Sequence, residues 1–173
     1  MKVVLMGYMG SGKSAISRFL SSKLDWQPID LDNFIEDKEG KTISNIFADK
    51  GVIYFRKKES QYLQEVLKSN DSMILALGGG TPCYSNNIEV LKIEPEVITV
   101  YLKASINLLV DRLWKEKEHR PILSSIEDKN ELLEFVGKHL FERVPFYSQA
   151  DKTISTDGKS VEEIAEEITN LLF

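Results

Sequence analysis

The chain has 173 residues, of which 42% are hydrophobic, enough for one compact domain with a core, while two domains would strain this length. Its 22 basic and 27 acidic residues give a net charge of -5, which argues against broad binding of nucleic acid and favours a small-molecule partner. The chain has one cysteine, no signal-peptide pattern after Met1 and no apolar run of membrane-spanning length. We therefore expect a cytoplasmic protein that works without a disulfide or a membrane.

Apolar, β-branched runs alternate with helical patterns along the whole chain, which is typical of an α/β fold with helices on both faces of a parallel sheet. The predicted strands are residues 3–6, 28–31, 73–77, 97–102 and 153–155, with a helix in every interval. The last helix has the clearest start, because Ser160 and Glu163 form a capping-box pattern. No repeat or linker divides the sequence, so we expect a single domain over residues 1–173.

The first predicted strand runs into GYMGSGKS at residues 7–14, which has the G-x-x-x-x-G-K-S spacing of a phosphate-binding loop. Such a loop presents backbone N–H groups to phosphate at a helix N-terminus, with Lys13 near the β- and γ-phosphates and the Ser14 hydroxyl placed to ligate Mg²⁺. An accidental glycine-rich turn would not need a strand before it and Lys-Ser in register after it. The predicted ATP-binding residues here are Gly10, Ser11, Gly12, Lys13, Ser14 and Ala15.

A carboxylate on the metal side has to come from outside the third strand, because that strand ends in three glycines at 78–80. Asp30 and Asp32 close the second predicted strand two residues apart, and side chains alternate along a strand. We therefore expect both carboxylates on one side, sharing a crevice with different roles. The alternative is that Asp32 only caps the following helix.

Three arginines are candidates for the acceptor side. Arg56 lies one helical turn before Glu59, which could orient its guanidinium, and Arg143 precedes Pro145. Each arginine alone would be more typical of a surface residue or a structural ion pair, but two converging on a small pocket would favour a planar carboxylate. Arg120 lies in a segment rich in charge, which is either a solvated loop or a mobile lid, around residues 115–127.

Six motifs in order make the sequence similar to the shikimate kinase family over nearly the whole chain. They are the phosphate loop, D-x-D at 30–32, F-R-x-x-E at 55–59, the glycines at 78–80, R-P-[IL]-L at 120–123 and R-x-P-x-Y at 143–147. The resemblance implies a transferase that phosphorylates the 3-hydroxyl of shikimate with ATP and Mg²⁺, in the biosynthesis of aromatic amino acids. It also implies a P-loop fold like that of nucleoside monophosphate kinases, with five parallel strands in the order 2-3-1-4-5.

The resemblance also implies roles for single residues. Asp32 would bind the shikimate hydroxyls, either as a base or only to position one of them, and Asp30 would reach Mg²⁺ through water. Arg56 and Arg143 would hold the carboxylate. Among the other implied residues, Lys13 and Arg120 would act on the phosphates, Phe47 and Phe55 would wall the ring, and the substrate would also meet Gly78, Gly79 and Gly80.

The adenine contact departs from the family pattern. The arginine expected seven residues before the R-P of the lid is replaced by Leu113, and Arg112 lies one step earlier. Arg112 is therefore the candidate for the nucleotide. The segment STDGKS at 155–160 lies where related proteins wrap the adenine, although a plain turn and helix cap explain it equally well.

The remaining chemistry-bearing residues carry weaker signals. We expect Cys83 to be a small apolar filler, and His119 and His139, which lack metal-ligand spacing, to be solvated. A kinase for gluconate or a nucleoside monophosphate would share the loop but lack the arginine pair. A regulatory nucleotide-binding module would not need Lys13 and both aspartates. We expect a monomer with shikimate and ATP as its ligands.

Overall fold

A computed structural model describes all residues from 1 to 173, and its centre is a sheet of five parallel strands. The spatial order is β2-β3-β1-β4-β5, so the predicted fold class and strand order are confirmed. The strands are β1 Lys2–Met6, β2 Gln27–Asp30, β3 Met73–Ala76, β4 Val97–Lys103 and β5 Lys152–Ser155. At the middle of the sheet, Leu5 of β1 is in register with Ala76 of β3 and with Val100 of β4.

The chain has seven α-helices, of which six lie between successive strands and the seventh follows β5. They are α1 Lys13–Leu24, α2 Leu31–Glu39, α3 Ile43–Leu67, α4 Asn87–Ile93, α5 Ile106–Lys115, α6 Lys129–Tyr147 and α7 Val161–Leu172. Three single 3₁₀ turns complete the regular structure, at Thr81–Cys83, Lys117–His119 and Pro121–Leu123. No helix combines the length and the apolar character that crossing a membrane requires.

The sheet separates two hydrophobic cores, and β1 contributes to both. Val4 and Met6 point into the larger core, whereas Val3 and Leu5 point into the smaller one beneath α1 and α7. All four side chains have no exposed surface. Burial on both faces explains why this strand is a continuous apolar run rather than an alternating one.

The second strand ends earlier than predicted, and this changes the positions of the two aspartates. β2 ends at Asp30, and α2 begins at Leu31 without an intervening loop. Asp30 is the N-cap, with Oδ1 accepting hydrogen bonds from the backbone N–H groups of Asp32 (3.1 Å) and Asn33 (3.3 Å). The prediction that both aspartates lie on one strand is therefore wrong, and so is the alternative that Asp32 is the cap, because Asp32 lies in the first helical turn.

Helix α3 consists of two helical segments joined at Gly51. Its backbone there has φ 82° and ψ 175°, a conformation that L side chains rarely adopt. The first segment carries Phe47, and the second carries Phe55 and Arg56. Phe47 and Phe55 are brought together across the bend, with ring centroids 4.6 Å apart.

The predicted lid, residues 115–127, contains two of the 3₁₀ turns and is anchored by apolar side chains. Leu123 is fully buried, and Ile126 is 4% exposed, while Ile122 lies on the surface. The segment is thus attached to the core at its C-terminal end. Its movement over a bound ligand stays a prediction.

The capping box predicted for the last helix is confirmed. The Ser160 hydroxyl accepts from the backbone N–H of Glu163 (3.2 Å), and the Glu163 carboxylate accepts from the backbone N–H of Ser160 (2.7 Å). Two N–H groups that the helix itself cannot satisfy are therefore paired.

Replacing Ser160 by alanine should lower the free energy of unfolding by about 1 kcal/mol, because one helix N–H group loses its partner. Urea denaturation of the two proteins measures the difference. Ser160→Asp is the matched control, since aspartate is an equally good N-cap and should stay within about 0.5 kcal/mol of the original chain. An equal loss of stability in both variants would show that the loss does not come from the capping hydrogen bond.

Candidate active site

The phosphate loop is held close to the sheet by its first glycine. A Cβ on Gly7 would lie only 2.7 Å from the backbone oxygen of Leu102 in β4, so no larger residue fits there. Lys13 turns back over the loop, and its Nζ donates to the backbone oxygens of Gly7 (2.7 Å) and Tyr8 (2.9 Å). Burial lowers the pKa of Lys13 to about 8, so the ammonium group stays charged at neutral pH.

A cavity of about 380 Å³ opens above this loop. All eight predicted ATP-binding residues line it: Gly10, Ser11, Gly12, Lys13, Ser14, Ala15, Arg112 and Arg120. We call it the nucleotide cavity. Lys159, just before α7, and Val161, its first residue, also line the cavity. The STDGKS segment therefore contributes both a helix cap and part of the cavity wall.

Arg112 lies against the phosphate loop, where its Nη1 donates to the backbone oxygen of Gly10 at 3.0 Å. Leu113 is fully buried and packs beneath the same glycine. Leu113 is therefore unavailable to adenine, and Arg112 is the arginine that the helix presents to the nucleotide cavity.

The two residues predicted on the metal side are in direct contact. The Ser14 hydroxyl donates to Oδ2 of Asp30 at 2.9 Å, while Oδ1 of the same carboxylate caps α2. Oxygen donors suit Mg²⁺, and this ion commonly takes its remaining ligands from water and phosphate. No group of three or more His, Cys, Asp or Glu side chains could hold a metal by itself. The residues present thus fit a magnesium ion that arrives with a nucleotide.

A second cavity of about 780 Å³ adjoins the first, and we call it the acceptor cavity. Its walls include all six predicted substrate residues and both predicted ring-wall residues: Asp32, Arg56, Gly78, Gly79, Gly80, Arg143, Phe47 and Phe55. Asp32, Gly78, Gly79 and Arg120 line both cavities, so these residues lie where the two cavities meet.

Arg56 is fixed from several sides. Its Nη1 donates to the Glu59 carboxylate at 2.7 Å, as the one-turn spacing predicted, and its Cζ lies 3.8 Å from the centroid of the Tyr84 ring. Glu59 is only 1% exposed and also accepts from the Thr81 hydroxyl at 2.7 Å. The Nε of Arg56 is buried without a hydrogen-bond partner. The guanidinium lines the acceptor cavity, with Nη2 beside Gly80, and its charge there suits an anionic ligand.

The three glycines after β3 make room for three charged side chains. A Cβ on Gly78 would lie 2.8 Å from Oδ1 of Asp32, and one on Gly79 would lie 3.2 Å from Nη1 of Arg143. A Cβ on Gly80 would lie 2.7 Å from Nη2 of Arg56. The bare backbone therefore lets all three side chains converge on one wall of the acceptor cavity.

Asp32 and Arg120 differ in how they are held. Burial raises the pKa of Asp32 to about 6, with the nearby Asp30 and Glu59 charges acting in the same direction. Arg120 is paired with Glu116 of the same segment, donating from Nε at 2.8 Å and from Nη2 at 2.6 Å. Both partners of this pair are substantially exposed, so the pair can open at little cost.

The expectation that His139 is solvated is wrong. Its Nδ1 lies 2.9 Å from the hydroxyl of Tyr8 in the phosphate loop, and the ring lines the acceptor cavity. The spacing of four residues between His139 and Arg143, which places them on one helix face, is the signal that could have indicated this position. His119 is exposed at the rim. Burial raises the pKa of the Cys83 thiol to about 11, which agrees with an unreactive filler.

A further residue to which sequence reasoning gave no role is Tyr147. Its hydroxyl donates to the backbone oxygen of Gly79 at 2.5 Å, and its side chain is fully buried against Tyr101. Helix α6 is thereby attached to the glycine turn that Arg143 approaches.

Comparison with known proteins identifies the family. The family model described as shikimate kinase matches residues 9–173. The chain belongs to the shikimate kinase family. Shikimate kinases of Flavobacterium psychrophilum and Flavobacterium johnsoniae are 46% and 42% identical to it, over 99% of this chain and 99% and 98% of theirs. The prediction of this family from six motifs is therefore confirmed.

Solved structures agree. The shikimate kinase of Bacteroides thetaiotaomicron is similar with a TM-score of 0.91 and 32% identity, covering 99% of this chain and 98% of that one. The shikimate kinase of Acinetobacter baumannii, solved in complex with shikimate, gives a TM-score of 0.84 and 32% identity over 99% and 92% of the two chains.

Gly80→Ala should raise the KM for the phosphoryl acceptor, by about 10-fold or more, because the added methyl group displaces the Arg56 guanidinium. The KM for ATP should change little. Steady-state kinetics with each substrate varied in turn separates the two effects.

Gly137→Ala in α6 is the control for this variant, because a Cβ there meets nothing within 4 Å. It should leave both KM values unchanged and stabilise the helix by up to about 1 kcal/mol. An unchanged acceptor KM in Gly80→Ala would mean that Arg56 does not contact the acceptor.

Proposed function

We propose that this protein transfers the γ-phosphoryl group of ATP to the 3-hydroxyl of shikimate, giving shikimate 3-phosphate and ADP in the biosynthesis of aromatic amino acids. The observation that carries the proposal is the junction of the two cavities. Phosphate-binding groups line one side, two arginines lie in the other, and Asp32 and Arg120 belong to both. Membership of the shikimate kinase family supports the choice of acceptor.

On the nucleotide side, the loop N–H groups and Lys13 bind the β- and γ-phosphates. The Nζ of Lys13 exchanges the carbonyl oxygens of Gly7 and Tyr8 for phosphate oxygens. Ser14 and Asp30 would hold Mg²⁺, with Asp30 acting through water. The bound ion would supply positive charge against the negative charge that develops on the phosphates during transfer. Arg112 lies beside the nucleotide.

On the acceptor side, Arg56 and Arg143 receive the shikimate carboxylate. Arg143 is available because it takes part in none of the protein's ion pairs, and Arg56 lines the same cavity while it is held by Glu59. The ring lies against Phe47 and Phe55, and backbone N–H groups of Gly79 and Gly80 face the ligand. Two planar guanidinium groups match one carboxylate better than two ammonium groups would.

At the junction, the Asp32 carboxylate accepts a hydrogen bond from the 3-hydroxyl and directs its oxygen at the γ-phosphorus. A P–O bond forms to this oxygen, the bond to ADP breaks, and the hydroxyl proton leaves to Asp32 or to solvent. The raised pKa of Asp32 makes its carboxylate a better proton acceptor while leaving it ionised at neutral pH. Arg120 leaves Glu116 and reaches the phosphates when the segment 115–127 closes.

The reaction needs residues of one chain only, so we propose that the protein acts as a monomer. We place it in the cytoplasm, where ATP is supplied and where the single thiol of Cys83 stays reduced.

A coupled assay of ADP release, with and without Mg²⁺, tests the proposal. Shikimate should support turnover, whereas gluconate and nucleoside monophosphates should not. Arg56→Ala and Arg143→Ala should each weaken shikimate binding by about 2 to 5 kcal/mol, because a buried carboxylate loses its partner.

Lysine at either position should restore little, since it keeps the charge but not the planar fork. Faster turnover with gluconate or with a nucleoside monophosphate would overturn the assignment of shikimate as the substrate. Normal shikimate binding together with weakened ATP binding in either alanine variant would move that arginine to the nucleotide side.

The two aspartates should fail in different ways. Asp32→Asn should lower kcat by about 100- to 10,000-fold, and added Mg²⁺ should not restore it. Asp30→Asn keeps the helix cap, because asparagine caps as well as aspartate, but it weakens the hold on the metal. Raising the Mg²⁺ concentration should therefore restore much of its activity.

The pH dependence of kcat gives the role of Asp32 an independent test. In the unmodified enzyme kcat should fall as the pH drops through about 6, because Asp32 becomes protonated there. This limb should be missing in Asp32→Asn. Rescue of Asp32→Asn by Mg²⁺, or an unchanged acidic limb in that variant, would reverse the assignment.

A further inference from the structure

The contact between Tyr8 and His139 joins the phosphate loop to helix α6. The hydroxyl of Tyr8 and Nδ1 of His139 are 2.9 Å apart, and the two rings meet edge to face with centroids 5.6 Å apart. Phe135, one turn earlier in α6, also packs edge to face against the imidazole, with ring centroids 5.3 Å apart. Tyr8 itself is only 1% exposed. The imidazole is thus held in one orientation by neighbours from two elements.

The hydrogen bond decides which ring nitrogen carries the proton. Burial raises the pKa of Tyr8 to about 12, so its hydroxyl keeps its proton, and His139 is the one partner of this hydroxyl. Burial and the Arg143 charge lower the pKa of His139, so the imidazole is neutral at pH 7. Tyr8 then donates to Nδ1, and the single ring hydrogen of His139 is on Nε2.

The surroundings of His139 are those of a carboxylate site. The ring lines the acceptor cavity together with Arg56 and Arg143. After burial, the Arg143 charge is the main cause that disfavours protonation of the imidazole, Glu142 opposes it, and Arg56 has a smaller effect in the same direction as Arg143. Nδ1 is occupied by Tyr8, which leaves Nε2–H as the one polar group of this side chain without a partner. A donor that carries no charge adds a hydrogen bond here without adding a third cation.

We propose that His139 is a further acceptor-binding residue, which donates Nε2–H to the shikimate carboxylate between Arg56 and Arg143, and that Tyr8 is the residue that positions its ring. The inference rests on the proposed function, because it assumes the same acceptor in the same cavity. It gives Tyr8, the second residue of the phosphate loop, a role on the acceptor side. The backbone of Tyr8 belongs to the loop that binds phosphate, and its hydroxyl orients the histidine that binds the carboxylate.

The decisive comparison is between leucine and glutamine at position 139. Leucine keeps the bulk but has no donor, whereas the glutamine side-chain amide can place an N–H near the position of Nε2. His139→Leu should raise the KM for shikimate by about 10- to 100-fold, the range expected for one hydrogen bond to a charged group. The KM for ATP should stay unchanged. His139→Gln should recover most of the loss.

Tyr8→Phe tests the positioning role. It removes the hydroxyl but keeps the aromatic ring, so the KM for shikimate should rise by less than in His139→Leu. In the double variant the two effects should not add, because both act through the same donor. Thermal unfolding of each variant reports whether the fold is retained, and Lys138→Ala, at an exposed neighbour in α6, is the control that should change neither KM.

The outcomes separate the two levels of the argument. If the unmodified enzyme phosphorylates shikimate but His139→Leu binds it normally, the role of His139 is overturned and the proposed function stands. Equal losses in the leucine and glutamine variants would assign the effect to packing and would also overturn it. If the unmodified enzyme does not use shikimate, the proposed function and this inference fail together.

Discussion

The parallel pairing of β1 with β3 is the contact on which the site depends. Because Leu5 and Ala76 are in register, the phosphate loop and the glycine turn leave the sheet side by side. A Cβ on Gly79 would lie 3.3 Å from the backbone nitrogen of Met9 in the loop, which shows how closely the two backbones approach. Nucleotide and acceptor cavities can therefore share a boundary only a few residues wide, as in-line transfer between two substrates requires.

The pairing of β1 with β3 also brings the charged side chains of the site close together. Lys13, Asp30 and Asp32 lie close enough for the two carboxylates to raise the pKa of Lys13 and for the Lys13 charge to lower that of Asp32. At the acceptor end, Glu59 pairs with Arg56, while Arg143 lies over the Tyr8 ring and has no carboxylate partner. In the proposed function, the carboxylate of the acceptor would pair with Arg143, with its hydroxyls toward Asp32.

Much of the fold and the site could be predicted because the signals are local or specific. The run at residues 3–6 and the capping box at Ser160 report short-range preferences, and the glycine-rich loop has a spacing that few other structures need. The arginine pair needed the family resemblance, since each arginine alone is typical of a surface. Asp32 lines the predicted cavity, but its assignment to the strand was wrong, because strand alternation holds only while the strand continues and α2 begins immediately after Asp30.

The amino-acid sequence by itself determined the α/β class, the phosphate loop and the set of charged residues from which an acceptor site could be built. The tertiary structure decided which of them meet. Asp30 rather than Asp32 contacts Ser14, Arg112 rather than Leu113 reaches the nucleotide cavity, and His139 lies in the acceptor cavity. Patterns along the chain report neighbours a few residues apart. The hydrogen bond between Tyr8 and His139 joins residues 131 positions apart in the sequence, and it forms only because the sheet brings α6 to the phosphate loop.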